Sequence, residues 1–176
     1  MRIEVQKTAA IAVDYQEKLI PAMHEKEILL KNSKILLEGL KTLQVPVILT
    51  QQYTKGLGMT DSEIMESAGT FEYQDKISFS AANLVEPLLE DKKYVLLCGI
   101  EAHICVLQTA IDLKEKGYTP VLVEDCISSR TEHNKKIAVE RAKQEGILLT
   151  TYEAILFELL KEAGTKESKV IQKLIR

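Results

Sequence analysis

Apolar residues fall into two kinds of stretch along the chain, and the two kinds alternate. Short unbroken runs occur at 8–13, 45–50, 95–98, 119–124 and 147–150. Runs of that length, bounded by polar residues, predict strands buried on both faces of a parallel sheet. Between them the apolar positions recur at helical spacing. Ile28, Leu30, Ile35, Leu36, Leu40 and Leu43 form one side of a helix over 27–43. Pro46 fits only the start of the second strand. Residues 51–58 read as a polar loop with Gly56 and Gly58. Thr60-Asp61-Ser62-Glu63 has capping-box spacing and opens a short helix. Residues 71–78 are the least regular and predict a short edge strand containing Lys76. Residues 83–89 predict a short helix with Leu84, Val85, Leu88 and Leu89 turned inward.

After the run at 95–98, Gly99 ends the strand and helical spacing begins at Ile104, so that Cys105 falls in the first turn of a helix stopping at Gly117. Ser129-Arg130-Thr131-Glu132 and Thr150-Thr151-Tyr152-Glu153 cap two further helices, and Gly146 closes the first. Residues 119–124 end at Asp125 and Cys126. Residues 170–175 predict a last apolar-faced helix, a candidate tail contact within an oligomer. Alternating strand and helix is the pattern of an α/β fold. Right-handed crossovers put the strand carboxyl ends on one edge, where ligands bind in such sheets. Asp14, Gln51 and Cys105 share that edge.

At 176 residues the chain is most simply one domain, 1–176, with room for a substantial core. Its net charge of -3 offers no basic surface for nucleic acid. No stretch is long and apolar enough to span a membrane, and residues 1–6 have no secretory h-region. Three cysteines without paired spacing argue against a disulfide framework and for a reducing compartment, the cytoplasm.

Cys105 changes the picture. At a helix start its sulfur faces unpaired N–H groups and the positive end of the dipole, both of which favour thiolate. A small buried hydrophobe is the alternative. On the residues alone Asp14 is equally a turn residue, and Lys76 reads first as a guard on an edge strand.

Ala12-Val13-Asp14-Tyr15-Gln16, Asp75-Lys76-Ile77-Ser78-Phe79 and Gly99-Ile100-Glu101-Ala102-His103-Ile104-Cys105-Val106 together resemble the isochorismatase-like cysteine hydrolase superfamily. The likeness continues in Asp125-Cys126-Ile127-Ser128-Ser129-Arg130 and Thr150-Thr151-Tyr152-Glu153-Ala154. Gln52-Tyr53-Thr54-Lys55-Gly56-Leu57-Gly58 narrows it to the isochorismatase domain-containing group. The resemblance implies a three-layer, Rossmann-like α/β sandwich whose six-stranded parallel sheet has the order 3-2-1-4-5-6. It implies an Asp14–Lys76–Cys105 triad. It also implies a non-proline cis peptide at Ile100–Glu101, which aims the N–H groups of Glu101 and Cys105 into an oxyanion hole.

The chemistry expected is metal-independent hydrolysis of an amide-type C–N bond in a small metabolite, through a thioester. Tyr53 and His103 are expected at the pocket mouth, with Gln51 and Gln52 as residues that recognise an amide. Cys98 and Cys126 are expected to be structural. Nicotinamidases of this superfamily hold a metal with an Asp and two His after the second strand. Here that region reads Thr50-Gln51-Gln52-Tyr53-Thr54-Lys55, and His24, His103 and His133 lie on separate elements. No metal and no cofactor are therefore expected, and a nicotinamidase-like amidase ranks low. Isochorismatases proper act on a vinyl ether without a cysteine nucleophile. The resemblance also implies a homo-oligomer. Two other readings stay open: an idle scaffold on the same fold, and a redox-sensing thiol.

Overall fold

In the computed structural model of the protein, which describes residues 2–176, Thr8–Val13 (β1) is buried at every position and lies inside a six-stranded sheet. The other strands are Val47–Gln52 (β2), Tyr73–Lys76 (β3), Tyr94–Ile100 (β4), Thr119–Ser128 (β5) and Leu148–Thr150 (β6). All pairings are parallel and the order is β3-β2-β1-β4-β5-β6, the order the resemblance implied. The helices are Lys26–Thr42 (α1), Thr54–Leu57 (α2), Ser62–Ala68 (α3), Ala82–Val85 (α4), Leu107–Glu115 (α5), Glu132–Gln144 (α6), Tyr152–Leu160 (α7) and Lys166–Ile175 (α8).

Successive strand residues point to opposite faces, so β1 feeds two cores. Ala10 and Ala12, with Leu96, Cys98, Val121 and Val123, pack against α1, α3, α7 and α8. Ala9, Ile11 and Val13, with Val95, Leu97 and Leu122, pack against α4, α5 and α6. The unbroken apolar runs follow from this double burial.

Several local expectations are corrected. Gln51 and Gln52 belong to β2 rather than to a loop, because pairing with β3 continues to Gln52 opposite Lys76. β5 continues to Ser128 through an irregularity opposite Leu97 and Gly99, which places Asp125 and Cys126 inside the strand. The cap of α3 is Asp61, whose carboxylate accepts from the N–H groups of Glu63 and Ile64. The cap of α6 is Thr131, not Ser129. The helix over 83–89 breaks at Pro87 into α4 and a 3-10 turn, Glu86–Leu88, and Leu88 turns out to solvent while Val85 and Leu89 stay buried. α8 starts at Lys166, and Ile171 is buried in the same core as α1; its apolar side is used within its own chain. The Ile100–Glu101 peptide is cis. No helix among the described residues is long and apolar enough to cross a membrane.

Candidate active site

β1 and β4 are neighbours, so the residues that follow them emerge side by side on one edge of the sheet. Asp14 leaves β1 with φ 51, and its N–H donates to the Thr50 carbonyl at 3.1 Å. Gly99 faces Val13 across the strand pair with φ +123, and a Cβ there would lie 2.1 Å from the Val13 carbonyl oxygen. Only glycine allows this approach.

Asp14 is fully buried with both carboxylate oxygens engaged. Thr50 Oγ1 donates to Oδ1 at 2.8 Å, and Lys76 Nζ donates to Oδ2 at 2.7 Å. The side chains of this ion pair are 0% and 1% exposed, respectively. Lys76 Nζ also faces Gln52 Oε1 at 2.7 Å and the carbonyls of Phe79 and Ser78 at 3.0 and 3.3 Å. Thr50 and Gln52 stand two residues apart on β2 and so turn to the same side. Thr50 carried no signal as a site residue in the sequence. Its only clue was its place two positions before Gln52 at a strand end.

Cys105 lies in a single π-helical turn, Ala102–Val106, between β4 and α5. The N–H groups on either side of it, those of Ile104 and Val106, both close onto the Glu101 carbonyl, at 3.1 and 3.3 Å. The Glu101 side chain is buried. Its carboxylate accepts from Arg130 Nε at 3.0 Å and from the Arg130 N–H at 3.1 Å. Position at a helix start favours a thiolate at Cys105, and its surroundings push the other way. Burial pushes the Cys105 thiol up to about 12, the Asp14 charge pushes the same way, and Lys76 opposes both. Desolvation by burial is the largest of these influences, and it favours the thiol over the thiolate.

The residues expected in the pocket separate. Gln51 is fully buried and engaged with the segment that follows β2: its Oε1 accepts from the N–H and the hydroxyl of Thr60, both at 2.8 Å, and its Nε2 donates to Thr54 Oγ1 at 2.8 Å. It pins the segment 53–60 rather than presenting a free amide. Tyr53 is exposed with φ 41, over Gly56. His103 is half-buried, and its Nδ1 pairs with Ser129 Oγ at 2.9 Å. Cys98 and Cys126 are buried and free, and burial pushes both thiols up. The Cys126 carbonyl accepts from the Tyr15 hydroxyl at 2.8 Å. Among the described residues no three His, Cys, Asp or Glu side chains are grouped to hold a metal ion.

Comparison with known proteins finds likeness over nearly the whole chain. The isochorismatase domain model matches residues 8–154. Isochorismatase domain-containing protein 2 of Danio rerio is 36% identical over 178 residues, covering 99% of this chain and 89% of that protein. A secreted isochorismatase effector, Isc1, of Phytophthora sojae is 37% identical over 186 residues, covering 99% and 87%. Among solved structures, the MAR1 ribonuclease from Caenorhabditis elegans superposes with a TM-score of 0.93 at 35% identity, covering 99% of this chain and 92% of that one.

Proposed function

The chain belongs to the isochorismatase family, and on that premise we propose that it is a metal-independent cysteine hydrolase of amide-type C–N bonds in a small metabolite. The observation that carries this reading is the fully buried Asp14–Lys76 ion pair, 2.7 Å long, whose two charges bear on the Cys105 thiol in opposite directions. A carboxylate beside a protonated thiol is a base in waiting, and the ammonium offsets the charge that develops when the proton moves.

The reaction then runs as follows. As sulfur attacks the carbonyl carbon, the thiol proton passes to Asp14 and the carbonyl electrons move onto oxygen. The N–H groups of Glu101 and Cys105 receive that oxyanion. The C–N bond breaks, Asp14 returns its proton to the leaving nitrogen, and a thioester on Cys105 remains. Asp14 next takes a proton from water as the water oxygen attacks. The C–S bond breaks and the sulfur recovers the proton. Tyr53 and His103 flank the entrance; Gln51 acts only through the loop it pins.

Self-association is part of the proposal. Ile77 and Phe79, 72% and 55% exposed, lie one and three residues after Lys76, and exposed Tyr53, whose N–H donates to the Lys76 carbonyl, stands beside them on the segment after β2. Light scattering reads the oligomer.

The test is a panel of small primary amides and N-carbamoyl compounds assayed for ammonia, with intact-mass detection of an acyl adduct on Cys105. An RNA oligonucleotide arm is included, since one relative is called a ribonuclease. The expected result is ammonia release that is lost in Cys105→Ala, with an adduct of the acyl mass. If no compound is turned over and Asp14→Asn and Lys76→Met leave Cys105 reactivity unchanged, the chain is a scaffold on this fold. RNA cleavage that survives Cys105→Ala overturns the amidase reading.

A further inference from the structure

We propose that Gln52 is a positioning residue that aims the Lys76 ammonium at Asp14 and Cys105, an inference that rests on the hydrolase reading above and deepens it. Gln52 is held at both ends. Its backbone is clamped by the Gln16 side chain, whose Oε1 accepts from the Gln52 N–H at 2.6 Å and whose Nε2 donates to the Gln52 carbonyl at 2.9 Å. The Gln16 amide thus behaves as a neighbouring strand would at the end of β2. The same Nε2 also donates to the Gly58 carbonyl at 2.8 Å.

The side-chain amide of Gln52 has only one workable orientation. Its Nε2 donates to the Ile77 carbonyl at 2.7 Å, which leaves Oε1 facing Lys76 Nζ at 2.7 Å. The reverse orientation would set oxygen against the Ile77 carbonyl and NH2 against an ammonium, repulsive on both sides. Ile77 is the residue after Lys76, so one amide grips both the backbone of the lysine segment and the lysine head group.

The ammonium has three protons and four oxygens within reach. The carbonyls of Ser78 and Phe79 sit farther off than Asp14 and Gln52. Without Gln52 the head group has two backbone carbonyls to choose, both on the segment that follows the lysine itself. Gln52 offers a competing neutral acceptor from β2. A carboxylate there would instead draw the ammonium away from Asp14 and add negative charge beside the thiol. The amide is the residue type that holds the lysine without neutralising it.

The experiment measures Cys105 alkylation by iodoacetamide at pH 9, read by peptide mass spectrometry, in the full chain with wild-type residues and in variants. Lys76→Met should slow alkylation and Asp14→Asn should speed it. Gln52→Met should slow it by roughly three- to tenfold, part of the Lys76→Met effect, because a displaced ammonium stabilises the thiolate less. Gln52→Glu should slow it as well. In a Lys76→Met background, Gln52→Met should add less than about twofold, since the two act through one group.

A merely structural role predicts the opposite sign, since looser packing exposes the sulfur and speeds alkylation. If Gln52→Met is as fast as wild type or faster while Lys76→Met is slow, the positioning role is overturned and the hydrolase reading stands. If neither Lys76→Met nor Asp14→Asn changes the rate, both are overturned. Gln52→Glu keeps an acceptor oxygen in place and carries the test if Gln52→Met does not fold.

Discussion

A Cβ on Gly99 would stand 2.1 Å from the Val13 carbonyl oxygen and 2.7 Å from its nitrogen. The atoms in the way are backbone, so no rotamer change relieves the contact. β4 and β1 can approach this closely only because residue 99 has no side chain, and Asp14 and the turn bearing Cys105 follow from those two strand ends.

Gly99→Ala is therefore expected to destabilise the protein by at least about 3 kcal/mol, beyond an ordinary surface change. Gly117→Ala is the control, with φ +92 and nothing within 4 Å of the added methyl. It should cost only about 1–2 kcal/mol, the penalty of left-handed backbone alone. Urea denaturation of the two variants measures the difference.

Lys76→Met leaves Asp14 as a buried charge without its partner. A loss of about 3–5 kcal/mol is expected, as for other broken buried pairs. Asp14→Asn in the same chain removes the stranded charge and should recover part of that loss. A double-mutant cycle in urea checks it. Additive effects would mean that the two groups do not interact.

The thiols carry a pH signature. Cys98 and Cys105 are pushed from the ordinary value of 9.0 to about 12, and Cys126 is pushed well above it. A pKa raised on folding means that the native state holds the proton more tightly. The stabilisation is complete below about pH 9 and is lost as pH rises toward 12. The thermal midpoint should fall from about pH 9 to about pH 11 at constant ionic strength. Cys98→Ala with Cys126→Ala should flatten that fall. An unchanged slope would show that these thiols do not titrate with unfolding.

Gln51→Leu removes the acceptor used by the N–H and hydroxyl of Thr60. Leaving those donors buried without a partner is expected to cost about 1–3 kcal/mol. Amide exchange should quicken over residues 53–60 and remain slow in β1. Protection that stays unchanged over 53–60 would show that Gln51 does not pin the loop.

Much of this was legible along the chain because it is local. The buried runs of β1, β4 and β5 read as strands from their composition, and the irregular stretch 71–78 read as a short edge strand bearing Lys76, which is β3. The Thr151 cap of α7 also sat inside the stretch identified for it. Errors came where one residue's neighbours lie far off in sequence. Thr60 read as a cap from its spacing to Glu63, yet its hydroxyl belongs to Gln51, and Asp61 caps the helix. Gln51 read as part of a polar loop, but it lies inside β2 with its amide bonded to Thr54 and Thr60.

The sequence by itself determined the alternation of strand and helix, the residues that fill the two cores, and, through its motif resemblance, the family. Burial on both faces leaves a run of apolar residues wherever it occurs, so that information is written in order. Only the tertiary structure decided what the site residues do to one another. Asp14 meets Thr50 across 36 residues and Lys76 across 62. The state of Cys105 depends on a balance among burial, Asp14 and Lys76, and burial prevails. A helix start favours a thiolate but leaves a buried hydrophobe equally open, because only the local dipole can be read from the chain. Desolvation cannot be read so, since it is the sum of everything the fold packs around the sulfur.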